Sequence, residues 1–377
     1  MKLTFVSKYP SLDMKNWSGT EYFTAKSLEK QGCEMDYITG LEDEINLSVR
    51  IKSKLYGRNK KYWIKRSPEV GKGYARQVLQ QMQPSSDIIF SPGTEPIAYL
   101  ETNKPKVFYT DATFSSMIGY YDWFDNLSLK TIKEGMRMEQ RAIDTCSLAI
   151  YASDWAAESA IKDFNAYPEK VKVVPLGANI STDLSIDDIK SLIERRDTRK
   201  CKILFMGVEW YRKGGDIVVQ AVQYLNDVLK LPTELHIVGI DDLPLNNLPA
   251  YIYNHGRINK ATPEGLKKIE DLISQSHFLF VPSRAEAYGL VFCEAMVFGV
   301  PCISTNTGGI PTIVKNDVNG AILEKYSEPK EYAEKIYSIF NDKNYYEELS
   351  LLAFHDYKTR LNWDAAGRTI MRYLREL

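Results

Sequence analysis

Residues 278–296, FLFVPSRAEAYGLVFCEAM, decide the fold of the second half of the chain. The apolar run at their start predicts a buried strand, and the run from Leu290 predicts a helix that ends near Gly299. Glu286 is therefore expected in a loop at the carboxyl end of a strand, and Glu294 in the first turns of the helix. Ligands bind at this edge of open α/β sheets, so the two acids indicate a binding site.

Composition places the chain among ordinary globular proteins of two domains, since its 377 residues are 44% hydrophobic and 26% charged. The net charge of −1 gives no indication of nucleic-acid binding. No apolar run approaches the ~18 residues of a membrane span, and the first residues lack the apolar core of a signal peptide. The five cysteines show no Cys-x-x-Cys spacing, which favours a reducing environment without a zinc site. We therefore expect a cytoplasmic protein.

Strand-like and helix-like runs alternate in both halves of the chain, which is typical of parallel sheets. The polar and charged segment 181–200 predicts a connection between a first domain, 1–180, and a second domain, 201–360. The last segment, 361–377, predicts a helix that packs back on the first domain. The simplest architecture is α/β, with two Rossmann-like domains that face each other across a cleft.

Several motifs in a fixed order carry a resemblance to a known family. In the second half they are Phe205-Met206-Gly207, Lys213-Gly214-Gly215-Asp216, His255-Gly256-Arg257, the two glutamates and Asn306-Thr307-Gly308-Gly309-Ile310-Pro311. With these motifs the chain resembles the retaining glycosyltransferases of GT-B fold in family 4, also called glycosyl transferases group 1. Looser matches in the first half are Ser18–Glu21, Ser153–Trp155 and Val174–Gly177, so the resemblance extends over nearly the whole chain.

The resemblance assigns the binding of a sugar donor to the second domain. It implies that Lys213 binds the donor diphosphate and offsets the charge that develops on the leaving phosphate. The family usually has an arginine where this chain has Val208, so we expect Arg212 to supply the second cation. Glu286 corresponds to the acid that contacts the donor sugar, and Glu294 corresponds to the acid that holds the ribose hydroxyls.

Five further positions complete the implied donor site in this domain. Tyr288, Gly289 and Leu290 would present backbone amides to the sugar and the phosphates. Arg257 and Ile258 lie where the family frames the nucleobase.

Two residues of the first domain belong to the same prediction. Gly19 matches the glycine of a loop that approaches the phosphates, where a side chain would clash. Asp111 ends a strand where relatives often have a histidine that faces the donor sugar, and a carboxylate there can accept sugar hydroxyls or orient the acceptor. Whether Asp111 acts as a base stays open, and a helix cap is the structural alternative for an acid in this place.

The resemblance implies a retaining transfer of a sugar from a UDP- or GDP-sugar to a glycan or lipid-linked acceptor, in polysaccharide or glycolipid biosynthesis. The leaving phosphate would take the acceptor proton during attack on the same face. The chain has no Asp-x-Asp motif, which favours a reaction without a metal ion, and no cofactor is expected.

The spacing of Glu286 and Glu294 favours sugar transfer over glycoside hydrolysis. A fully helical offset of eight residues spans roughly 12 Å, longer than the about 5 to 9.5 Å of a hydrolytic carboxylate pair. Two alternatives remain, a nucleotide-sugar 2-epimerase of the same architecture and a non-catalytic nucleotide-sugar-binding subunit.

A basic segment, 50–66, is not explained by this resemblance. It carries eight lysines and arginines without an acid, interleaved with Leu55, Tyr56, Tyr62, Trp63 and Ile64. One interpretation is a solvated surface segment. The other is contact with an anionic membrane surface, or with an anionic or lipid-linked acceptor, by a protein peripheral to the inner face of the membrane.

Overall fold

Each half of the chain is built around a parallel sheet. A computed structural model describes residues 1–180, 182–245 and 247–377. Their contacts form two units, Met1–Leu176 with Trp363–Leu377, and Gly177–Asn362. In both units the described strands form a six-stranded sheet with helices in the connections. The prediction of an α/β fold with two Rossmann-like domains is confirmed.

In the first unit all strand pairs are parallel. Its strands are β1 (Lys2–Val6), β2 (Glu34–Ile38), β3 (Ile88–Ser91), β4 (Lys106–Thr110), β5 (Leu148–Tyr151) and β6 (Val171–Val173), in the order β2-β1-β3-β4-β5-β6. Its first six α-helices are α1 (Thr20–Lys30), α2 (Leu47–Tyr56), α3 (Pro68–Gln81), α4 (Phe114–Met117), α5 (Leu129–Thr145) and α6 (Asp154–Phe164). Strands β3 and β5 are buried at every residue, as expected for strands covered on both faces.

The second unit repeats this plan with parallel pairs throughout. Its strands are β7 (Cys201–Met206), β8 (Thr233–Val238), β9 (Ile252–Asn254), β10 (Phe278–Val281), β11 (Cys302–Thr305) and β12 (Gly320–Leu323), in the order β12-β11-β10-β7-β8-β9. Its helices are α7 (Ile186–Arg195), α8 (Gly215–Asp227), α9 (Pro263–Gln275), α10 (Leu290–Met296), α11 (Ile310–Ile313), α12 (Pro329–Asn341) and α13 (Lys343–Thr359). The strand order changes direction between β7 and β10, which is where ligands bind in such sheets.

The segment after the first unit packs inside the second unit. Helix α7 is followed by Arg196, which is 5% exposed. Its guanidinium donates hydrogen bonds to the carbonyls of Phe298 (2.8 Å) and Gly299 (3.1 Å) and to the Tyr346 hydroxyl (2.8 Å). These bonds attach the end of α7 to the segment that follows α10.

The last helix, α14 (Trp363–Leu374), belongs to the first unit. It packs on α1, where the Trp363 and Phe23 rings stack with centroids 6.0 Å apart. Lys30 Nζ lies 2.6 Å from an Asp364 carboxylate oxygen. Within the described part of the chain, every helix is too short or too polar to cross a bilayer.

Candidate functional site

Lys213 and Glu286 meet at the carboxyl edge of the second sheet. Lys213 follows β7 and Glu286 follows the neighbouring strand β10, so their loops leave the sheet side by side. The Lys213 ammonium donates a hydrogen bond to Glu286 Oε2, and Arg212 Nη1 lies 3.5 Å from the same oxygen. The side chains of Lys213 and Glu286 are only 9% and 10% exposed. The structure thus brings together one buried acid and two cations that the motifs placed at one site.

Close backbone packing holds the two loops together. The Arg284 N–H donates to the Arg212 carbonyl (2.8 Å), and Arg212 Nη1 donates to the Ala285 carbonyl (2.9 Å). Gly214 has a φ of +77°, and a Cβ there would lie 2.2 Å from the Pro282 carbonyl oxygen. Because only glycine tolerates both conditions, the residue after the lysine fixes how closely the loops approach.

Glu294 lies on α10 and has a cation of its own. Its side chain is 1% exposed, and Lys260 Nζ lies 2.6 Å from Glu294 Oε1. Glu294 Oε2 is buried and accepts no hydrogen bond from any described residue. Buried carboxylate oxygens normally have a donor, so this oxygen lacks a partner of the kind that a ligand hydroxyl could supply. No motif marks Lys260 as a site residue, because 34 residues separate it from Glu294 and only the fold brings them together.

The residues between the two acids shape the loop rather than supply charge. Tyr288 is 2% exposed, so its ring belongs to the core. Gly289 has a φ of +104° and precedes Leu290, the first residue of α10. The interval from Glu286 to Glu294 is therefore helical only in its second half. The figure of roughly 12 Å, which holds for a fully helical interval, therefore does not apply to this pair.

The two residues expected at a nucleobase lie on the loop after β9. The side chain of Arg257 is 70% exposed, and its Nε lies 3.2 Å from Asp241 Oδ2. Ile258 is half-buried. Arg257 can reach a ligand only by weakening this exposed pair, which costs little because exposed ion pairs are weak.

The first unit contains a cavity of about 590 Å³ at the carboxyl ends of β1, β3 and β4. Asp111, directly after β4, lines the cavity together with Glu21 from the first turn of α1. Ser7 Oγ donates to Glu21 Oε2 at 2.7 Å, and burial raises the pKa of Glu21. Gly19 caps α1 with a φ of +87°, and a Cβ there would keep 3.4 Å from its nearest neighbours. Position 19 therefore favours glycine because of its positive φ, since a Cβ there would not clash with any neighbouring residue of the chain.

Arg66, at the end of the basic segment, joins two acids of the cavity wall. Its Nη2 lies 3.1 Å from Glu95 Oε1, and its Nη1 lies 3.6 Å from Glu139 Oε2. Burial would raise the pKa of Glu95, but Arg66, Lys8 and Lys65 together hold it below the usual value. Burial raises the pKa of Glu139 above its usual value. The wall offers both donors and acceptors, which suits a ligand with many hydroxyls.

The loop before α1 has a strained backbone. Trp17 and Ser18 have φ values of +43° and +55°, directly before the left-handed Gly19. Each non-glycine residue in this conformation costs about 1–2 kcal/mol, and such strain collects at ligand sites. Trp17 lines the same cavity. The sequence did not indicate Trp17, because no local pattern marks a left-handed tryptophan.

Across the described ranges, no group of three or more His, Cys, Asp or Glu side chains could hold a metal ion. The predicted donor-site residues other than Gly19 and Asp111 lie in the second unit, and these two lie in the first unit.

Part of the second unit matches a known protein family in sequence. Residues 188–353 match the model of the family described as glycosyl transferases group 1. The D-inositol 3-phosphate glycosyltransferase of Xylanimonas cellulosilytica is 24% identical over 245 residues, which cover 62% of this chain and 58% of that protein. The chain spans 43% to 65% of the length of curated relatives such as this one.

Solved structures are similar in fold. Sucrose-phosphate synthase from Thermosynechococcus elongatus has a TM-score of 0.69 at 14% identity, covering 100% of this chain and 98% of that one. Anabaena Alr3699/HepE, in complex with UDP and glucose, has a TM-score of 0.65 at 16% identity and covers 100% of both chains. Segment 188–353 thus carries the sequence pattern of glycosyl transferases group 1, and both units have the Rossmann-like folds of GT-B glycosyltransferases.

Proposed function

We propose that this protein transfers a sugar from a nucleotide sugar to a hydroxyl of a glycan or lipid-linked acceptor, with retention of configuration and without a metal ion. The observation that carries the proposal is the buried cluster of Glu286, Lys213 and Arg212 where the strand order of the second sheet reverses. The match of residues 188–353 to glycosyl transferases group 1 supports it.

In the proposed donor complex, the two cations of this cluster bind the diphosphate. Lys213 and Arg212 neutralise the charge that grows on the leaving phosphate as its bond to the anomeric carbon breaks. In this complex Lys213 and Arg212 contact both the phosphates and Glu286. The Glu286 carboxylate accepts hydrogen bonds from the sugar hydroxyls. The acceptor oxygen forms the new bond on the same face, and its proton passes to the departing phosphate oxygen.

The nucleoside end of the donor is assigned to Glu294. Its vacant Oε2 is buried and suits a ribose hydroxyl, while Lys260 holds Oε1. Arg257 and Ile258, on the loop after β9, would border the base of a UDP- or GDP-sugar. The pair with Lys260 engages only Oε1, so Oε2 can accept a ribose hydroxyl once a ligand reaches this buried oxygen.

The acceptor is assigned to the cavity of the first unit. Its acids lie in different electrostatic surroundings, since burial raises the pKa of Glu21 and Glu139 whereas Arg66, Lys8 and Lys65 hold the pKa of Glu95 below its usual value. The carboxylates of this wall accept hydrogen bonds and the Arg66 guanidinium donates them, so hydroxyls of both orientations can be held. Asp111, at the end of β4, would orient the attacking hydroxyl.

Nucleotide release from a donor panel tests the proposal. The purified chain is incubated with UDP-, GDP-, ADP- and dTDP-sugars, and both the released nucleotide and the anomer of the freed sugar are measured by NMR. We expect release from one donor with retained configuration, unchanged by EDTA. Glu286→Gln should lower kcat/KM at least about a hundredfold. Glu264→Gln, which changes an exposed acid of α9, is the matched control and should have no effect.

Other outcomes would decide against parts of the proposal. Sugar of inverted configuration would refute retention, and loss of activity in EDTA would refute a metal-free reaction. An epimerised donor without nucleotide release would identify an epimerase instead. Tight donor binding without turnover, with and without simple sugar acceptors, would favour the non-catalytic subunit.

A further inference from the structure

Helix α2 presents apolar side chains to solvent. Leu47, Ile51 and Leu55 recur at every fourth position and are 74%, 57% and 65% exposed. This spacing places the three side chains on one side of the helix. Within α2, which the structure describes completely, Val49 is the buried residue. The helix therefore attaches to the first unit by a narrow stripe and leaves an apolar face uncovered.

The basic segment 50–66 divides into two groups in the structure. The first group contacts acceptors of the unit itself: Lys52 contacts Glu69 and Glu134, Lys61 contacts the carbonyls of Asp122 and Trp123, Lys65 lies 4.0 Å from Asp43, and Arg66 contacts Glu95 and Glu139. The second group, Arg50, Lys54, Arg58 and Lys60, is exposed and has no ion pair with any residue that the structure describes. The unpaired cations are thus concentrated in α2 and the turn after it.

We propose that residues 47–60 dock on the surface of an anionic lipid bilayer. Leu47, Ile51 and Leu55 enter the boundary between headgroups and acyl chains, and the four unpaired cations contact lipid phosphates. The charge of the segment selects this partner, because residues 47–60 contain no acid. A protein partner would have to supply an acidic surface around an apolar groove, whereas an anionic bilayer supplies both properties at once.

Exposed side chains from a neighbouring loop border the same region. The Lys61 N–H donates to the Asn126 carbonyl (2.8 Å), and the Ser128 N–H donates to the Lys61 carbonyl (2.9 Å). Next to this pairing, Trp123 is 47% exposed and Leu129 is 76% exposed. Tryptophan is enriched at membrane–water interfaces, so the loop adds an anchor suited to headgroup depth. The inference rests on this surface and not on the proposed transfer reaction.

Cosedimentation with vesicles tests the inference on the full chain. The probes are phosphatidylcholine vesicles with and without about 30 mol% phosphatidylglycerol. We expect binding to the anionic vesicles in about 0.05 M NaCl, at least about tenfold weaker in about 0.5 M NaCl and with neutral vesicles. Equal binding to both vesicle types, or no binding at low salt, would overturn the proposal.

Two sets of variants separate charge from apolar contact. The triple variant Arg50→Gln, Lys54→Gln, Arg58→Gln should weaken binding about a hundredfold, since each cation near an anionic surface contributes about fivefold. The triple variant Lys268→Gln, Lys330→Gln, Lys343→Gln makes the same change of charge at exposed lysines of the second unit and should bind like the parent protein. An equal loss in both would mean that net charge, and not this face, drives binding.

The apolar face has its own pair of variants. Ile51→Gln with Leu55→Gln should weaken binding at least about tenfold. Val228→Gln with Tyr326→Gln, which changes two exposed apolar residues of the second unit, should not. Circular dichroism and UDP binding should be the same in all variants, which separates a failure of this proposal from a failure of the transferase proposal. Sedimentation equilibrium tests for a dimer. If the parent protein is a dimer and Ile51→Gln with Leu55→Gln abolishes it, the apolar face of α2 binds a second copy of the chain, and the proposal of bilayer docking is overturned.

Discussion

The Lys213–Glu286 pair predicts a strongly non-additive double-mutant cycle. Lys213→Met removes a buried ammonium and leaves Arg212, 3.5 Å from the same carboxylate oxygen, as the remaining cation. Glu286→Gln removes the carboxylate and leaves a lysine side chain that is 9% exposed, with no second acid among the described residues. The second substitution should therefore cost more than the first.

The magnitudes follow from the burial of the pair. Removing one partner of a buried ion pair costs about 3–5 kcal/mol, because the other charge stays buried without compensation. Arg212 compensates part of this loss, so we expect about 2 kcal/mol for Lys213→Met and about 3 kcal/mol for Glu286→Gln. The double variant buries neither charge and should cost about 3 kcal/mol instead of the sum of about 5, a coupling energy of about 2 kcal/mol.

Urea-dependent hydrogen exchange at the β7 and β10 amides would give the free energy of unfolding of the second unit for each variant. Costs that add within about 0.5 kcal/mol would refute the reasoning that the two side chains form one buried pair. The control is a cycle on Lys267 and Asp271, whose charged atoms lie 3.2 Å apart but whose side chains are 74% and 53% exposed. It should show a coupling energy below about 0.5 kcal/mol.

Three further predictions test separate features. Burial lowers the pKa of His277 to about 3, so below pH 6.5 the unfolded state takes up a proton that the folded state does not. The contribution of His277 to stability is therefore greatest above pH 6.5, and from pH 7 to pH 5 the parent protein should lose about 2 kcal/mol more than His277→Gln in urea unfolding. Gly214→Ala would place a Cβ 2.2 Å from the Pro282 carbonyl oxygen and should weaken UDP binding at least about tenfold in calorimetry. Gly32→Ala, at a φ of +86° with nothing within 4 Å, should leave UDP binding unchanged. Lys260→Met leaves its carboxylate partner on α10 buried without a cation and should destabilise the second unit by about 2 kcal/mol, a loss that Lys260→Arg should largely avoid.

The strands could be predicted where the signal is local. The apolar run Phe278–Val281 is strand β10, as predicted. Strand β12 has no comparable local signal, because Gly320 begins it and the charged pair Glu324 and Lys325 follows it, a pattern typical of a turn. A Cβ at Gly320 would lie 1.9 Å from the Cys302 carbonyl oxygen, so this glycine permits the close pairing with β11. That requirement exists only in the assembled sheet.

In the candidate site, too, some residues are marked by local motifs and others are brought in only by the fold. The order of motifs predicted that Lys213, Arg212 and Glu286 share a site, because their loops follow strands that the fold makes neighbours. Lys260 has no motif of its own, and its contact with Glu294 depends on where the loop after β9 passes α10. Arg66 was assigned to a basic surface segment, whereas the fold turns its guanidinium toward two buried acids of the cavity. Charge patterns along the chain show which residues are basic, but not which of them find partners.

The two acids of residues 278–296 differ in what a ligand would have to displace. Glu286 is held by Lys213 and Arg212, the cations that the proposed donor complex assigns to the diphosphate, whereas Glu294 keeps a vacant oxygen before any ligand arrives. Uridine should therefore bind without changing the Lys213–Glu286 coupling energy. UDP should compete for the two cations and lower the coupling by about 1 kcal/mol or more when the cycle is repeated at a saturating concentration. If UDP binds tightly and leaves the coupling unchanged, the cations do not exchange partners, and the diphosphate must be held elsewhere.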